Sequence, residues 1–336
     1  MRVGVFAKDT SDEGLRFLKQ IGVDDVDLRL EYLEEYRASG SLTAASARLV
    51  VERYAGFGLR INVANAAIEH LWDAYYGRPG ADRQIGRLCE LIRNVGEAGI
   101  PLVGIKPNNA QYLPPAGPPG HTVARGRGGY GRPGINFADA DRVMDAPLGA
   151  VEPERIWDGY RRVYEAALPV AEEAGVRLCQ HGNDPPIPVY RGVPHVLNSF
   201  AAFDRLFAEF PSPNNGMTYC VGTRYESGED VVAGIAHFGR ERIFNVHFRN
   251  VIGPIPARGE YLETFLDDGD MDMGAVVAAL EAAGYDGVLN IDHIPILDIE
   301  QEWDKKLATA WAVAYAKALV TAADPKRRPG SQAATA

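Results

Sequence analysis

Four short apolar runs in the second half of this 336-residue chain each stop at a residue able to ligate a metal. Val176-Arg177-Leu178-Cys179 leads into Gln180 and His181, and Gly216-Met217-Thr218-Tyr219 into Cys220. Ile243-Phe244-Asn245-Val246 leads into His247, and Gly287 to Ile291 into Asp292 and His293. Each run has the length and residue types of a buried strand, and helical patterns separate them. Strands that alternate with helices pair in parallel. In a parallel barrel the C-terminal strand ends converge on one face, where active sites lie. Four ligand-type residues at four successive strand ends are hard to ascribe to chance.

The first half carries the same alternation. Val3–Ala7, Val26–Leu30, Leu59–Val63 and Ile100–Ile105 read as strands. Ser11 is expected to cap a helix running to Gln20, with Leu15, Leu18 and Ile21 on one face and Gly22 ending it. Leu42–Tyr54 and Arg83–Ala98 are the next helices; Ile85, Leu88, Cys89, Ile92 and Val95 recur at helical spacing. Later helices are expected over Glu152–Ala174, from Ser199, over Asp230–Phe238 and Met273–Ala283, and from Glu302 to Ala322. Pro153 suits a first helical turn, whereas Pro169 is expected to kink or interrupt its helix. Eight strand–helix units make a single α/β (β/α)8 barrel over residues 1–323, with residues 324–336 as a polar, disordered tail.

The regular pattern lapses between Lys106 and Val151, where Leu113-Pro114-Pro115-Ala116-Gly117-Pro118-Pro119-Gly120 precedes Arg125-Gly126-Arg127-Gly128-Gly129. A loop this long after the fourth strand is either functional or a flexible insertion. In the functional reading it is a lid on the active face, and Arg125 and Arg127 meet an anionic substrate through their planar guanidinium forks.

Composition narrows the partners. Lys plus Arg number 35 against 45 Asp plus Glu, a net charge of -10, which argues against a general nucleic-acid surface. Three cysteines spread over the chain are no disulfide framework and fit the cytosol. No run approaches the roughly 18 apolar residues of a membrane span.

Two imidazoles, a thiolate and a carboxylate make a mixed N/S/O site, which does not by itself choose a metal. Four protein ligands leave room for substrate only around a five- or six-coordinate ion, which favours Mn or Fe over tetrahedral Zn. Asp292 and His293 are neighbours, so a regular strand would aim them apart. His293 reaches the pocket only if the strand has already turned into a loop, where it would serve as general acid or base; otherwise it packs between barrel and helix. Cys89 and Cys179 read as core, His195 and His237 as surface positions, and Asp184 as a loop brace. Glu263 and Asp267-Asp268-Gly269-Asp270 read as a solvated loop, with substrate contact as the alternative.

At these residues the chain resembles the metal-dependent mannonate dehydratases of the xylose-isomerase-like barrels. The segments that carry the likeness are His181-Gly182-Asn183-Asp184-Pro185-Pro186, Cys220-Val221-Gly222-Thr223, Val246-His247-Phe248-Arg249-Asn250-Val251, Gly269-Asp270-Met271-Asp272-Met273 and Asp292-His293. The resemblance implies that His181, Cys220, His247 and Asp292 bind Mn²⁺ or a similar ion (Fe²⁺, Co²⁺ or Mg²⁺). It implies that His293 transfers protons and that a sugar acid, D-mannonate, loses water to give a 2-keto-3-deoxy acid. Arg249 joins Arg125 and Arg127 as an expected substrate contact, and a homo-oligomer is expected. The alternative activity is a sugar isomerase or epimerase. The sequence departs from the family where Ile294-Pro295 follows His293, where Leu266 replaces a histidine, and where a downstream tyrosine gives way to Trp303 or Asp304.

Overall fold

Local sequence signals set the elements of the barrel. Ser11 accepts a hydrogen bond from the Gly14 amide and so caps the helix Asp12–Gln20, which buries Leu15 and Leu18. Asp230 and Asp272 cap the helices Val231–Arg242 and Met273–Ala282 in the same way. In the computed structural model the described residues are 1–109, 121–140, 150–300 and 305–324. The strands in chain order are β1 (Arg2–Phe6), β2 (Asp25–Arg29), β3 (Arg60–Ala66), β4 (Leu102–Ile105), β5 (His121–Arg125), β6 (Gly131–Asn136) and β7 (Arg177–His181). They continue with β8 (Val189–Tyr190), β9 (Val193–Pro194), β10 (Asn215–Cys220), β11 (Ile243–Phe248), β12 (Asn250–Ile252), β13 (Glu260–Thr264) and β14 (Val288–Ile291).

Eight of these close a parallel barrel in the order β1-β14-β11-β10-β7-β4-β3-β2, as the alternation of strands and helices predicts. Register sets the ligand-type residues at matching levels. Thr218 of β10 pairs with His181 of β7, Cys220 with His247 of β11, and His247 with Asn290 of β14. The outward strand residues form the main core with the surrounding helices, including Leu15, Ile92, Tyr160, Leu206 and Val277. The barrel interior is more polar. Asp27 is fully buried there and accepts from Asn245 Nδ2 at 2.7 Å and Asn62 Nδ2 at 3.2 Å.

Two expectations need correction. Pro169 does not interrupt its helix, which runs on as Pro153–Glu173. Pro169 lies on the exposed side, and burial of Tyr164, Ala167 and Ala171 around it outweighs the lost hydrogen bond. The stretch after β4 is not simply a loop. Its described part is the hairpin β5–β6, and β6 pairs antiparallel with β13, giving a four-stranded sheet in the order β12-β13-β6-β5. Residues 110–120 and 141–149 lie outside the described residues, as do Trp303, Asp304 and the tail 325–336. Among the described residues no helix is long and apolar enough to cross a membrane.

Candidate active site

A cavity of about 750 Å³ opens at the C-terminal ends of the barrel strands, with β6 and β13 over it. His181, His247, Asp292 and His293 line it, as do Asp184, Tyr261 and Glu263. Ligand atoms of His181, Cys220 and His247 all lie within 4.8 Å of one another. The His181 Nδ1–H donates to the Gly182 carbonyl at 2.7 Å, which leaves Nε2 with a free lone pair. His247 is buried, and no hydrogen bond of good geometry reaches either ring nitrogen, although Cys220 and Asp292 lie beside the ring. Buried polar atoms are rarely left so, and a cation at this point would satisfy them. Asp292 borders the group, its Oδ2 3.4 Å from His247 Nδ1.

The thiol chemistry fits the same occupant. Burial alone would push Cys220 up. The Arg249 guanidinium and the imidazoles of His181 and His247 outweigh that and hold it well below the usual thiol range. Cys220 is therefore poised as a thiolate, the form that ligates metals. Thr223 Oγ1 donates to its sulfur at 3.0 Å and Arg249 Nε at 3.4 Å. A soft thiolate, two imidazoles and a bordering carboxylate suit a divalent transition metal.

Arg249, expected as a substrate contact, does not line the cavity. Its side chain is 1% exposed and fully engaged: Nη1 donates to Glu226 Oε1, and Nη2 to Asp184 Oδ2 at 2.8 Å and Thr223 Oγ1 at 2.9 Å. It braces the thiolate from behind the cavity wall. Gly222 makes room for it, since a Cβ there would lie 2.7 Å from the Arg249 Nε and Cζ atoms. Arg125 and Arg127 also point elsewhere. Arg127 forks onto Asp267, with Nη2 2.8 Å from Oδ1, while exposed Arg125 donates to the Gly129 carbonyl and lies 3.7 Å from Asp298. The hairpin does cover the cavity, but through Pro133, Gly134, Ile135 and His121.

His293 enters the cavity because the chain has left strand geometry. Its φ is 46°, a left-handed conformation uncommon outside glycine. That turn brings Asp292 and His293 to the same cavity, where a strand would have separated them. His293 Nδ1 bonds Glu263 Oε1, and Nε2 is 3.5 Å from Asp292 Oδ1. The side chain is 41% exposed and lines the cavity. Enclosure by protein would lower its pKa, but Asp292 and Glu263 raise it to about 10. Asp292 itself is held below the ordinary carboxylate range by His293, His247 and Arg249, against the opposing effect of burial.

Glu263 is thus no solvated loop residue. It sits on β13, and the sheet pairing that carries it inward leaves no signature in its own sequence neighbourhood. His195, expected at the surface, is 1% exposed and donates from Nδ1 to the Pro185 carbonyl at 2.9 Å. Its burial comes with the β8–β9 hairpin, which sequence pattern does not show. His237 is exposed beside Asp204, as expected, and Cys89 and Cys179 are buried. Asp184 braces the loop through Arg249, Thr223 and Tyr261.

The model of the D-mannonate dehydratase (UxuA) family matches residues 135–322, more than half of the chain. The chain belongs to the mannonate dehydratase family. Its curated relatives include the mannonate dehydratase of Streptococcus equi subsp. zooepidemicus, 28% identical over 260 residues that cover 70% of each protein. Mannonate dehydratase 2 of Halalkalibacterium halodurans is 26% identical over 264 residues, 72% of this chain and 75% of that one. Among solved structures, a mannonate dehydratase from Streptococcus suis serotype2 superposes with a TM-score of 0.82 at 24% identity, over 96% of this chain and 95% of that one. An L-ribulose 3-epimerase shares the barrel at a TM-score of 0.61 and 18% identity, over 97% and 96% of the two chains.

Proposed function

We propose that this mannonate dehydratase family member removes water from a sugar acid, D-mannonate or a close relative, to give a 2-keto-3-deoxy acid. The observation that carries this reading is a thiolate–imidazole cluster that fits a divalent cation, set beside a histidine held at Nδ1 by a buried carboxylate, in one roofed cavity. Hydrogen is lost from C2 and hydroxide from C3, and the resulting enol rearranges to the 2-keto acid. The departing atoms make one water, and nothing is oxidised or reduced overall.

His181, Cys220 and His247, with Asp292 at the border, are proposed to hold the ion, with Mn²⁺ the proposed species. When bound, such an ion supplies positive charge against the negative charge that develops at the acid end of the substrate. His293 is proposed to move the proton at Nε2, because Glu263 occupies Nδ1 and fixes the plane of the ring. Arg249 holds Cys220 as a thiolate, and Tyr261 with the β6 residues helps to exclude water. The free cysteines support a reducing compartment. The isomerase or epimerase alternative has weaker support, since likeness to such structures extends to the barrel alone.

The test is a panel of aldonates with Mn²⁺-loaded protein, read as 2-keto-3-deoxy acid by a carbonyl-specific assay. Turnover of one or more aldonates is expected. Interconversion of two sugars with no keto acid formed would replace this reading by the isomerase one.

A further inference from the structure

The barrel rim divides into two contiguous half-rings. The donors described above come from β7, β10, β11 and β14, which are neighbours in the closed sheet. The other half, β4, β3, β2 and β1, brings Lys8, Arg29 and Lys106 to the cavity, and Lys305 and Lys306 reach it from the start of the helix Lys306–Ala323. Acids meet Arg29, Lys106 and Lys306: Glu31 lies 3.6 Å from Lys106 and 4.0 Å from Arg29, and Lys306 lies 3.5 Å from Glu13 and 3.9 Å from Asp9.

Below this rim the second half sends one carboxylate toward the donors. Asp27 of β2 has no exposed surface. Among the described residues its ion-pair contact is with His247 alone, its Oδ2 3.9 Å from His247 Nε2. Two amides fix its place. Asn62 Nδ2 donates to Asp27 Oδ1 at 3.2 Å and to Asn245 Oδ1 at 3.1 Å. Asn245 Nδ2 donates to Asp27 Oδ2 at 2.7 Å, which closes a ring of three side chains. Asn245 lies two residues before His247 on β11, so strand alternation turns both to the same face. Taking a carboxylate out of water is costly, and neutral amides do not cancel its charge. The compensating cation has to come by way of His247.

The two nitrogens of that ring look in different directions. Nδ1 lies 3.4 Å from Asp292 Oδ2, the carboxylate that borders the ligand cluster, whereas Nε2 faces Asp27. Phe6 packs edge-on against the ring, with centres 5.3 Å apart. A ligating imidazole gives one nitrogen to the metal and its other N–H to a carboxylate or carbonyl, which fixes the tautomer and makes the ligand more basic. His181 is set with Nδ1 on the Gly182 carbonyl and Nε2 free. His247 is set the other way round.

We propose that His247 binds the metal through Nδ1 and turns its Nε2–H to Asp27, which makes Asp27 a positioning residue for the metal centre. The proposal rests on the metal-dependent reading of the site. Asp27 keeps Nδ1 turned to the side of Asp292, and its buried charge is answered by the ion through the ring. Closing the gap to hydrogen-bonding distance takes a shift of about 1 Å.

Nitrogen-labelled histidine in cadmium-loaded protein tests the assignment without turnover. The His247 signals are those missing from His247→Gln. The expected spectrum shows cadmium coupling at Nδ1 of His247 and a proton on Nε2. Coupling at Nε2 overturns the proposal and leaves the metal site standing. Protein that binds no cadmium overturns the metal reading and this proposal with it. A second measurement removes the partner. Asp27→Asn keeps the shape and loses the charge, so its dissociation constant for Mn²⁺ should rise about 10–100-fold in calorimetric titration of protein with unchanged far-UV circular dichroism. Unchanged affinity in that folded variant overturns the positioning role. If Asp27→Asn does not fold, the spectrum of the unsubstituted protein decides alone.

Discussion

The two half-rings of the barrel solve different problems with different residues. On the β7–β10–β11–β14 side, short side chains leave strand ends directly, and each donor is fixed by its register, by a backbone carbonyl or by Arg249. On the β1–β4 side, long flexible cations leave strand ends and loops and meet acids at 3.5–4.0 Å. Short donors in fixed register suit a geometrically demanding centre, such as one that holds an ion. Long cations supply charge, which acts over distance and tolerates small displacements.

The largest expected difference between the halves is in metal binding. Cys220→Ala or His247→Ala should lose bound metal by elemental analysis and abolish turnover, with far-UV circular dichroism unchanged. Arg29→Gln should keep full metal content. Loss of metal from Arg29→Gln would mean that the rim cations also help to hold the ion. Next comes His293→Asn, which should retain metal and lower kcat by about 10²–10⁴-fold, the usual range for a general acid or base. Near-normal turnover would move the proton-transfer role to another group.

Arg249→Met sharpens the contrast through stability. It leaves Glu226 buried without its partner, so urea unfolding should show a loss of about 3–5 kcal/mol. Arg249→Met combined with Glu226→Leu should recover part of that loss. The smallest effect belongs to Arg127→Ala, outside both halves. Its exposed pair with Asp267 should be worth less than about 1 kcal/mol, and kcat/KM should stay within error. A large fall in kcat/KM would return Arg127 to the substrate.

The ligand half is legible in the sequence because apolar runs that end in His, Cys, His and Asp carry both the strand and the donor. The barrel follows from the same alternation. Lys8, Lys106, Lys305 and Lys306 follow no period, and a lysine beside a strand end looks like any solvated charge. Charge also misleads about depth: Arg249, expected to meet substrate, is among the most buried side chains. Glu263 reads first as a solvated loop acid because β13 becomes a cavity wall only by pairing with β6, more than a hundred residues earlier in the chain. His293 is a middle case, since Ile294-Pro295 hints at a turn but only the left-handed backbone makes one.

The pairing of β6 with β13 ties the insertion after β4 to the one after β11, and so joins the two half-rings across the mouth of the cavity. Anyone grafting new specificity onto this scaffold inherits that bond. Exchanging either segment alone would strand the other with an open edge of backbone amides and carbonyls, ready to pair with a stranger. The two segments form one cassette, to be recombined together or left alone.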